Sequence, residues 1–217
     1  MGFFELLAQS MPLFLMGMRL TLELSFVSLA IAMVIGIVAS LMGMSSVPLF
    51  RAINRTFVAI IRGTPLLVQG YFIYFGLTGV LGIRMTAFTA GVIALSLNAG
   101  GYMSEIFRGG IQAVDPGQTE AARSLGLSKS QTTWRIVIPQ AIRICIPSVV
   151  NQWCITIKDT SIISVLGLAE LTKMGSQIIA RTFRSFEVWI MVGILYFIVI
   201  YLLTVLARIV ERKVSLD

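Results

Sequence analysis

"DPGQTEAARSLGLSKSQTTWRIVIPQA", residues 115–141, is the longest charged segment of a chain that is otherwise strongly apolar. Asp115 is a good N-cap, Pro116 suits the first helical position, and Gln118 completes a capping-box pattern three residues on. "TEAARSL" favours helix, and Gly126 stands where a C′ glycine ends one. Ser128 offers a second N-cap, again with a glutamine, Gln131, three residues later. This second helix is expected to run through Trp134 and stop near Pro139. Each short helix has an apolar side: Ala121, Ala122 and Leu125 on the first, Trp134, Val137 and Ile138 on the second. Such a pair either lies on a membrane surface or docks into a groove of a soluble partner. The residues alone do not choose between these.

Outside this stretch the composition is that of a membrane protein. Of 217 residues 57% are hydrophobic and 12% charged, and the mean hydropathy is +0.90, more apolar than a soluble domain of this size. Histidine is absent, which excludes His-based triads and His-containing zinc sites. Cys145 and Cys154 lie in one apolar segment and read as small apolar fillers, neither a CxxC site nor a disulfide. The eleven methionines are scattered and fit packing filler better than a metal pathway. No metal site is expected. The net charge of +7 reports topology in such a chain rather than a nucleic-acid partner. The N-terminus "MGFFELLAQSMPLF" lacks a basic n-region and a clear cleavage site, so no cleavable signal peptide is expected.

The fold expected is an all-α integral membrane protein with five transmembrane helices. A span takes roughly 20 apolar residues, and four charge-free runs meet that length: Leu24–Met44, Thr64–Ile83, Met85–Ser104 and Val188–Ala207. A fifth run, Ile144–Ile157, is short and contains Pro147, Asn151 and Gln152; it counts as the fourth of the five helices. Arg51, Arg55, Arg62, Arg108, Arg123, Lys129, Arg135, Arg143, Arg208, Arg212 and Lys213 fall on one side, which the positive-inside rule makes cytoplasmic. The N-terminus is then outside and the C-terminus cytoplasmic. Lys158, Lys173, Arg181 and Arg184, on the outer connection, run against this assignment. Arg19 and Glu23 read as an i,i+4 ion pair at the outer face. No repeat or linker divides the chain, so residues 1–217 form a single membrane domain. Residues 115–141 lie on its cytoplasmic side, between the third and fourth helices.

"EAARSLGLSKSQTTWRIVIP", Glu120 to Pro139, resembles the EAA loop of ATP-binding-cassette importer permeases. Glu120, Ala121 and Ala122 are followed by Gly126 at its set distance, then by Ile136, Val137, Ile138 and Pro139, with isoleucine where leucine is usual. "IRGTPLLVQ" (61–69), "AFTAGVIALSLNAGGYMSEIFRGGIQAVDPGQTEAARSLG" (87–126) and "KDTSIISVLG" (158–167) narrow the resemblance to the polar amino-acid permease group. The resemblance implies a multi-pass protein of the bacterial plasma (inner) membrane that pairs with a second permease, a copy or a paralogue. It implies that Glu120, Ala121, Ala122, Gly126 and Pro139 couple to a separate ATPase subunit, which carries the ATP and Mg. ATP binding would close the ATPase pair and drive the permease from inward-facing to outward-facing. An extracytoplasmic binding protein would deliver the amino acid. The chain has no phosphate-binding loop: G-x-x-x-x-G-K-[ST] is absent, and "GLSKS" has no glycine before Lys129. No cofactor and no catalytic residues are therefore expected on this chain.

In the third span Ala87, Gly91, Ala94, Asn98, Gly101 and Glu105 share one helix face, with Tyr102 beside it. Small residues permit close helix packing, in which Asn98 would bond across helices. The other reading is a substrate-facing wall, which Asn98 and Glu105 favour because a carboxylate near the membrane costs roughly 2–3 kcal/mol. Pairing of Glu105 with Arg108 at the cytoplasmic interface is the alternative for that residue. In the fourth helix Asn151, Gln152, Lys158 and Asp159 are candidates, because interrupted helices with polar residues build midplane sites in transporters. An amino acid needs acceptors for its ammonium, here Glu105 or Asp159. Its carboxylate needs donors, here Asn98, Lys158 or backbone N–H groups. Local ion pairing of Lys158 with Asp159 is the bland alternative. Arg62 snorkels at the start of the second span, and the resemblance implies a part in cytoplasmic gating. Two other functions fit the residues less well. A membrane-embedded enzyme would need clustered acids, and the ten here are dispersed. A non-transporting scaffold would leave the polar face of the third span without a purpose.

Overall fold

The computed structural model describes residues 2–215, with side chains as far as 209. The side chains of Arg212 and Lys213 in the expected C-terminal basic cluster lie outside the described residues. Among the described residues every regular element is helical.

Helix α1 (Phe3–Met44) has 42 residues, about 63 Å at ~1.5 Å per residue, twice what a bilayer core requires. The expected span Leu24–Met44 is only its C-terminal half. The helix continues through the charges because Arg19 Nε donates to Glu23 Oε1 one turn on, at 2.7 Å. A proline, Pro12, is carried inside it. The N-terminal half packs on later elements through Leu6, Phe14 and Met18, against Leu171 and Ile178 of α9 (Leu171–Thr182) and Val188 of α10 (Ser185–Ser215).

Helix α2 (Pro48–Gly63) follows, then a rod made of α3 (Leu66–Tyr71), a π-type turn (Phe72–Leu77) and α4 (Thr78–Leu81). The two are bent by 106° at Gly63–Thr64–Pro65. Proline has no N–H and forces the residue before it out of the helical region; Thr64 is extended, at φ −124° and ψ 143°. The expected span Thr64–Ile83 thus begins at an elbow. It spans only Leu66–Leu81 before Gly82, at φ +67°, ends it.

Helix α5 (Ala87–Gln112) starts where Thr86 Oγ1 caps the Thr89 N–H at 3.1 Å. It runs eight residues past the expected end at Ser104. Helix α8 (Ile138–Ile163) contains the fourth expected segment, which is therefore not short: the helix passes through Pro147, Lys158 and Asp159. By length and composition two described helices, α1 and α10, are able to cross a membrane, or three if the bent pair is one span. At 26 residues each, α5 and α8 are long enough. Glycines, serine and Asn98 in α5, and Arg143, Lys158 and Asp159 in α8, make them less apolar.

Helix α5 is the centre of the bundle, packed on α1, α2, α3 and α8. Its small residues permit this: a Cβ on Gly100 would sit 2.6 Å from Ile35 of α1, and one on Gly101 2.7 Å from Ile61 of α2. One core joins Leu24, Leu66, Ile73, Ala90, Ala94, Leu95 and Ile163, and a second holds the N-terminal half of α1.

Candidate functional site

The segment 115–141 forms α6 (Pro116–Ser124) and α7 (Lys129–Thr132). Asp115 Oδ1 caps α6 by accepting from the Gly117 N–H at 2.7 Å, one residue before the expected glutamine. At the other end Leu127 N–H donates to Ala122 O (3.1 Å) and Gly126 N–H to Arg123 O (3.0 Å). This is a Schellman closure, and it needs Gly126 at φ +85°, where a side chain is strained. The second cap is reciprocal, as the Ser128/Gln131 pattern predicts: Ser128 Oγ accepts from Gln131 N–H (3.2 Å) and Gln131 Oε1 from Ser128 N–H (2.8 Å). The expected stop near Pro139 does not occur. A π-type turn (Thr133–Val137) leads directly into α8, with Pro139 in its first turn. The helix runs on without a break, and the wider turn accommodates the ring, whose missing N–H would otherwise interrupt the ladder.

The apolar residues of the pair divide. Ala122 is 5% exposed, tucked beneath the connection, whereas Leu125 is 82% and Trp134 69% exposed. Glu120, Ala121 and Pro139 are also exposed. Leu125 thus stands exposed at the capped corner, and Trp134 stands exposed in the turn after α7, where it also lines an apolar cavity with Met33, Ile37 and Leu206.

A second constellation builds on the α2–α3 elbow. The break at Pro65 leaves the last carbonyls of α2 without helical donors, and Gln69 supplies one. Its Nε2 donates to Ile61 O (2.9 Å), Thr64 O (3.1 Å) and Thr64 Oγ1 (2.9 Å), while the Thr64 hydroxyl donates to Ile60 O at 2.8 Å. Asn98 Nδ2 holds the other end of Gln69 through Oε1 at 3.0 Å, fastening the elbow to α5. One turn along, the Arg62 guanidinium lies over the Tyr102 ring, 5.5 Å from its centroid, a cation–π contact. Arg62 Nη1 is 3.9 Å from Glu105 Oε2. Glu105 is also held by Arg108, with Nη2 at 2.6 Å and Nε at 3.1 Å. The structure therefore brings Arg62, Asn98, Tyr102 and Glu105 together. The small members of the same α5 face, Gly91, Ala94 and Gly101, are buried packing positions. Gln69, which ends the "IRGTPLLVQ" motif, joins this constellation although its sequence position alone gives no sign of it.

The four candidates of α8 stand apart: among the described residues no hydrogen bond or ion pair joins them to Asn98, Tyr102 or Glu105. Asn151 and Lys158, seven residues apart on one face, are exposed; Gln152 is buried and Asp159 half-buried. Lys158 and Asp159 do not form an ion pair with each other among the described residues.

Sequence reading also missed Glu170, which is fully buried at the N-cap of α9. It accepts from Lys173 N–H (2.7 Å) and from the Tyr196 hydroxyl of α10 (2.8 Å). Thr21 Oγ1 of α1 takes the neighbouring Leu171 N–H at 3.2 Å. Burial pushes the Glu170 carboxyl pKa up, against the opposing pull of these donors. Nothing in its local sequence separates Glu170 from a solvated acid. Among the described residues no group of three or more Cys, Asp or Glu is placed to hold a metal ion.

Residues 32–216 match the family model described as binding-protein-dependent transport system inner membrane component. The chain is 38% identical over 208 residues to the glutamine transport system permease protein GlnP of Escherichia coli (strain K12), covering 95% of each. It is 37% identical over 204 residues to the arginine transport system permease protein ArtQ of Bacillus subtilis (strain 168), covering 94% of this chain and 93% of that one. A crystal structure of an amino acid ABC transporter with histidines superposes with a TM-score of 0.93 at 40% identity, over 98% of this chain and 99% of that one. The MetNI methionine ABC transporter in an inward-facing conformation shares the fold alone, with a TM-score of 0.78 at 19% identity, over 94% and 97% of the two chains.

Proposed function

Because the chain belongs to the family of binding-protein-dependent transport system inner membrane components, multi-pass permeases of the inner membrane, we propose that it is the transmembrane subunit of an ATP-driven amino-acid importer and couples to a separate ATPase through α6 and α7. The observation that carries this is the rigid corner at Gly126. Leu125, at the end of α6, and Trp134, in the turn that follows α7, both stand in the open. Exposed anchors of this size on a preorganised corner suit a hydrophobic cleft, because little ordering entropy remains to be lost on docking. ATP and Mg belong to the partner; this chain supplies the lever.

In this reading five helices cross the membrane, α1, Leu66–Leu81, α5, α8 and α10, with the N-terminus outside and the C-terminus cytoplasmic. A second permease, identical or paralogous, completes the path, and an extracytoplasmic binding protein delivers the amino acid. The exposed face of α8 is assigned to that path. Asn151 and Lys158 are polar groups facing outward from a spanning helix, and such groups face water or a partner rather than lipid. Lys158 would receive the substrate carboxylate and Asp159 its ammonium, with Gln152 behind them. Tyr102, Asn98 and Glu105 line the inner approach, and Arg62, stacked on Tyr102 at the elbow, gates it. The relatives named for glutamine and arginine support amino acids as the substrate class.

Proteoliposomes holding this chain, its ATPase and a loaded binding protein should accumulate a labelled amino acid only when ATP is present on the ATPase side. Absence of ATP-dependent uptake for every amino acid that the binding protein carries would refute the assignment.

A further inference from the structure

A cavity of about 420 Å³ lies between the end of α1, α2 and α5, and its walls are charged. Arg51, Asn54, Arg55 and Val58 line it at i, i+3, i+4 and i+7, so one face of α2 forms a wall. Helix α5 adds Glu105 and Arg108, and α1 adds Gly43. Glu105 is already matched, held by Arg108 at 2.6 Å with Arg62 at 3.9 Å. Arg51 and Arg55 have no hydrogen bond or ion pair among the described residues. Two like charges one turn apart repel each other on the same helix. Three arginines against one glutamate leave the cavity with two positive charges in excess.

A third donor is independent of the arginines. Asn54 is only 7% exposed, and its Oδ1 accepts from the Ser104 hydroxyl at 3.3 Å. Its Nδ2 has no partner among the described residues. That nitrogen is therefore free to donate to an anionic oxygen in the cavity. The site is kept open by Gly43, on which a Cβ would stand 2.5 Å from that same Nδ2.

We propose that this cavity binds a phosphate group, with Arg51, Arg55 and Asn54 as its donors. Two unpaired guanidinium forks and an amide offer planar, bidentate donation that suits tetrahedral phosphate oxygens. The opposite face of α2 exposes Leu49, Phe50, Ile53 and Ile60, which places the helix at an apolar boundary. Anionic phospholipid headgroups gather at such boundaries, and basic pockets between membrane helices receive them. The phosphate is thus presented either by a lipid headgroup or by free phosphate.

The test uses the full chain purified in neutral detergent without phosphate. One arm titrates inorganic phosphate by calorimetry; the other adds phosphatidylglycerol or phosphatidylcholine and counts retained lipids by native mass spectrometry. One saturable site is expected, weakened about tenfold or more in the Arg51→Gln/Arg55→Gln double variant and less in the double lysine variant. Phosphatidylglycerol retention without phosphate binding would identify a lipid source, and phosphate binding without lipid retention a soluble one. Saturable binding of neither probe, or equal binding by wild type and a folded double glutamine variant, overturns the proposal. The single variants Arg51→Gln and Arg55→Gln, each expected to weaken binding several-fold, provide the same reading should the double variant fail to fold.

Discussion

At the residue scale the most informative side chains are those that bind one helix to another. Asn98 was legible as a polar residue on the α5 face. Its partner was not, because Gln69 lies 29 residues away and only the elbow brings them together. Removing Asn98 should loosen the elbow by about 1 kcal/mol, the usual range for a hydrogen bond between membrane helices. Thermal melts are expected to show a larger loss for Gln69→Ala, which also forfeits its bonds to Ile61 and Thr64, and a double variant little worse than Gln69→Ala alone; full additivity would mean that the two side chains act apart. Glu170 was invisible for a different reason: a carboxylate in a polar-looking connection gives no sign of burial. Because burial holds its pKa above the ordinary 4.5, its contribution to stability is full below that value and declines as pH rises through the raised one. Wild-type melting temperature should therefore fall relative to Glu170→Gln as pH rises above 4.5. A gap between the two proteins that stays constant with pH would contradict this account of Glu170.

At the scale of elements, local chemistry foretold some boundaries and tertiary context set others. The caps at Asp115 and Ser128 and the break at Gly126 are short-range signals, and all three appear. Pro139 misled, since a proline ends a helix from the inside yet is tolerated in a first turn, and the preceding π-type turn shifted it there. The region 48–63 read only as a connection with three arginines. The alignment of Arg51, Arg55 and Arg62 on one side, with Leu49, Phe50, Ile53 and Ile60 on the other, is the signature of an amphipathic helix. The α6–α7 pair, the proposed coupling element, carries its own prediction. Leu125→Ala and Trp134→Ala, exposed in this chain, should leave its melting temperature within about 0.5 kcal/mol of wild type in equivalent stability. Together they should reduce co-purification of the ATPase by about tenfold or more. Undiminished co-purification would remove these two side chains from the docking surface.

For the whole molecule, composition sufficed for a helical membrane protein. It did not suffice for the lengths of the helices. α1 is twice as long as its charge-free run because Arg19 and Glu23 pair along the helix, and its extra length is covered by α9. α5 and α8 dilute their apolarity with the glycines and polar groups that let them pack centrally. The two proposed ends of the machine are thereby joined. α8 rises directly from the α6–α7 pair through the turn at 133–137, and carries Asn151 and Lys158 along the same helix. A displacement of the α6–α7 corner has a continuous rod through which to reach the proposed path. The most direct measurement is ATP hydrolysis by the ATPase in membranes holding this chain and a loaded binding protein. Hydrolysis should be stimulated by the wild-type chain and lost with Gly126→Pro, which inserts normally but cannot form the Schellman closure. Stimulation by Gly126→Pro equal to wild type, or hydrolysis indifferent to the presence of this chain, would contradict the coupling role.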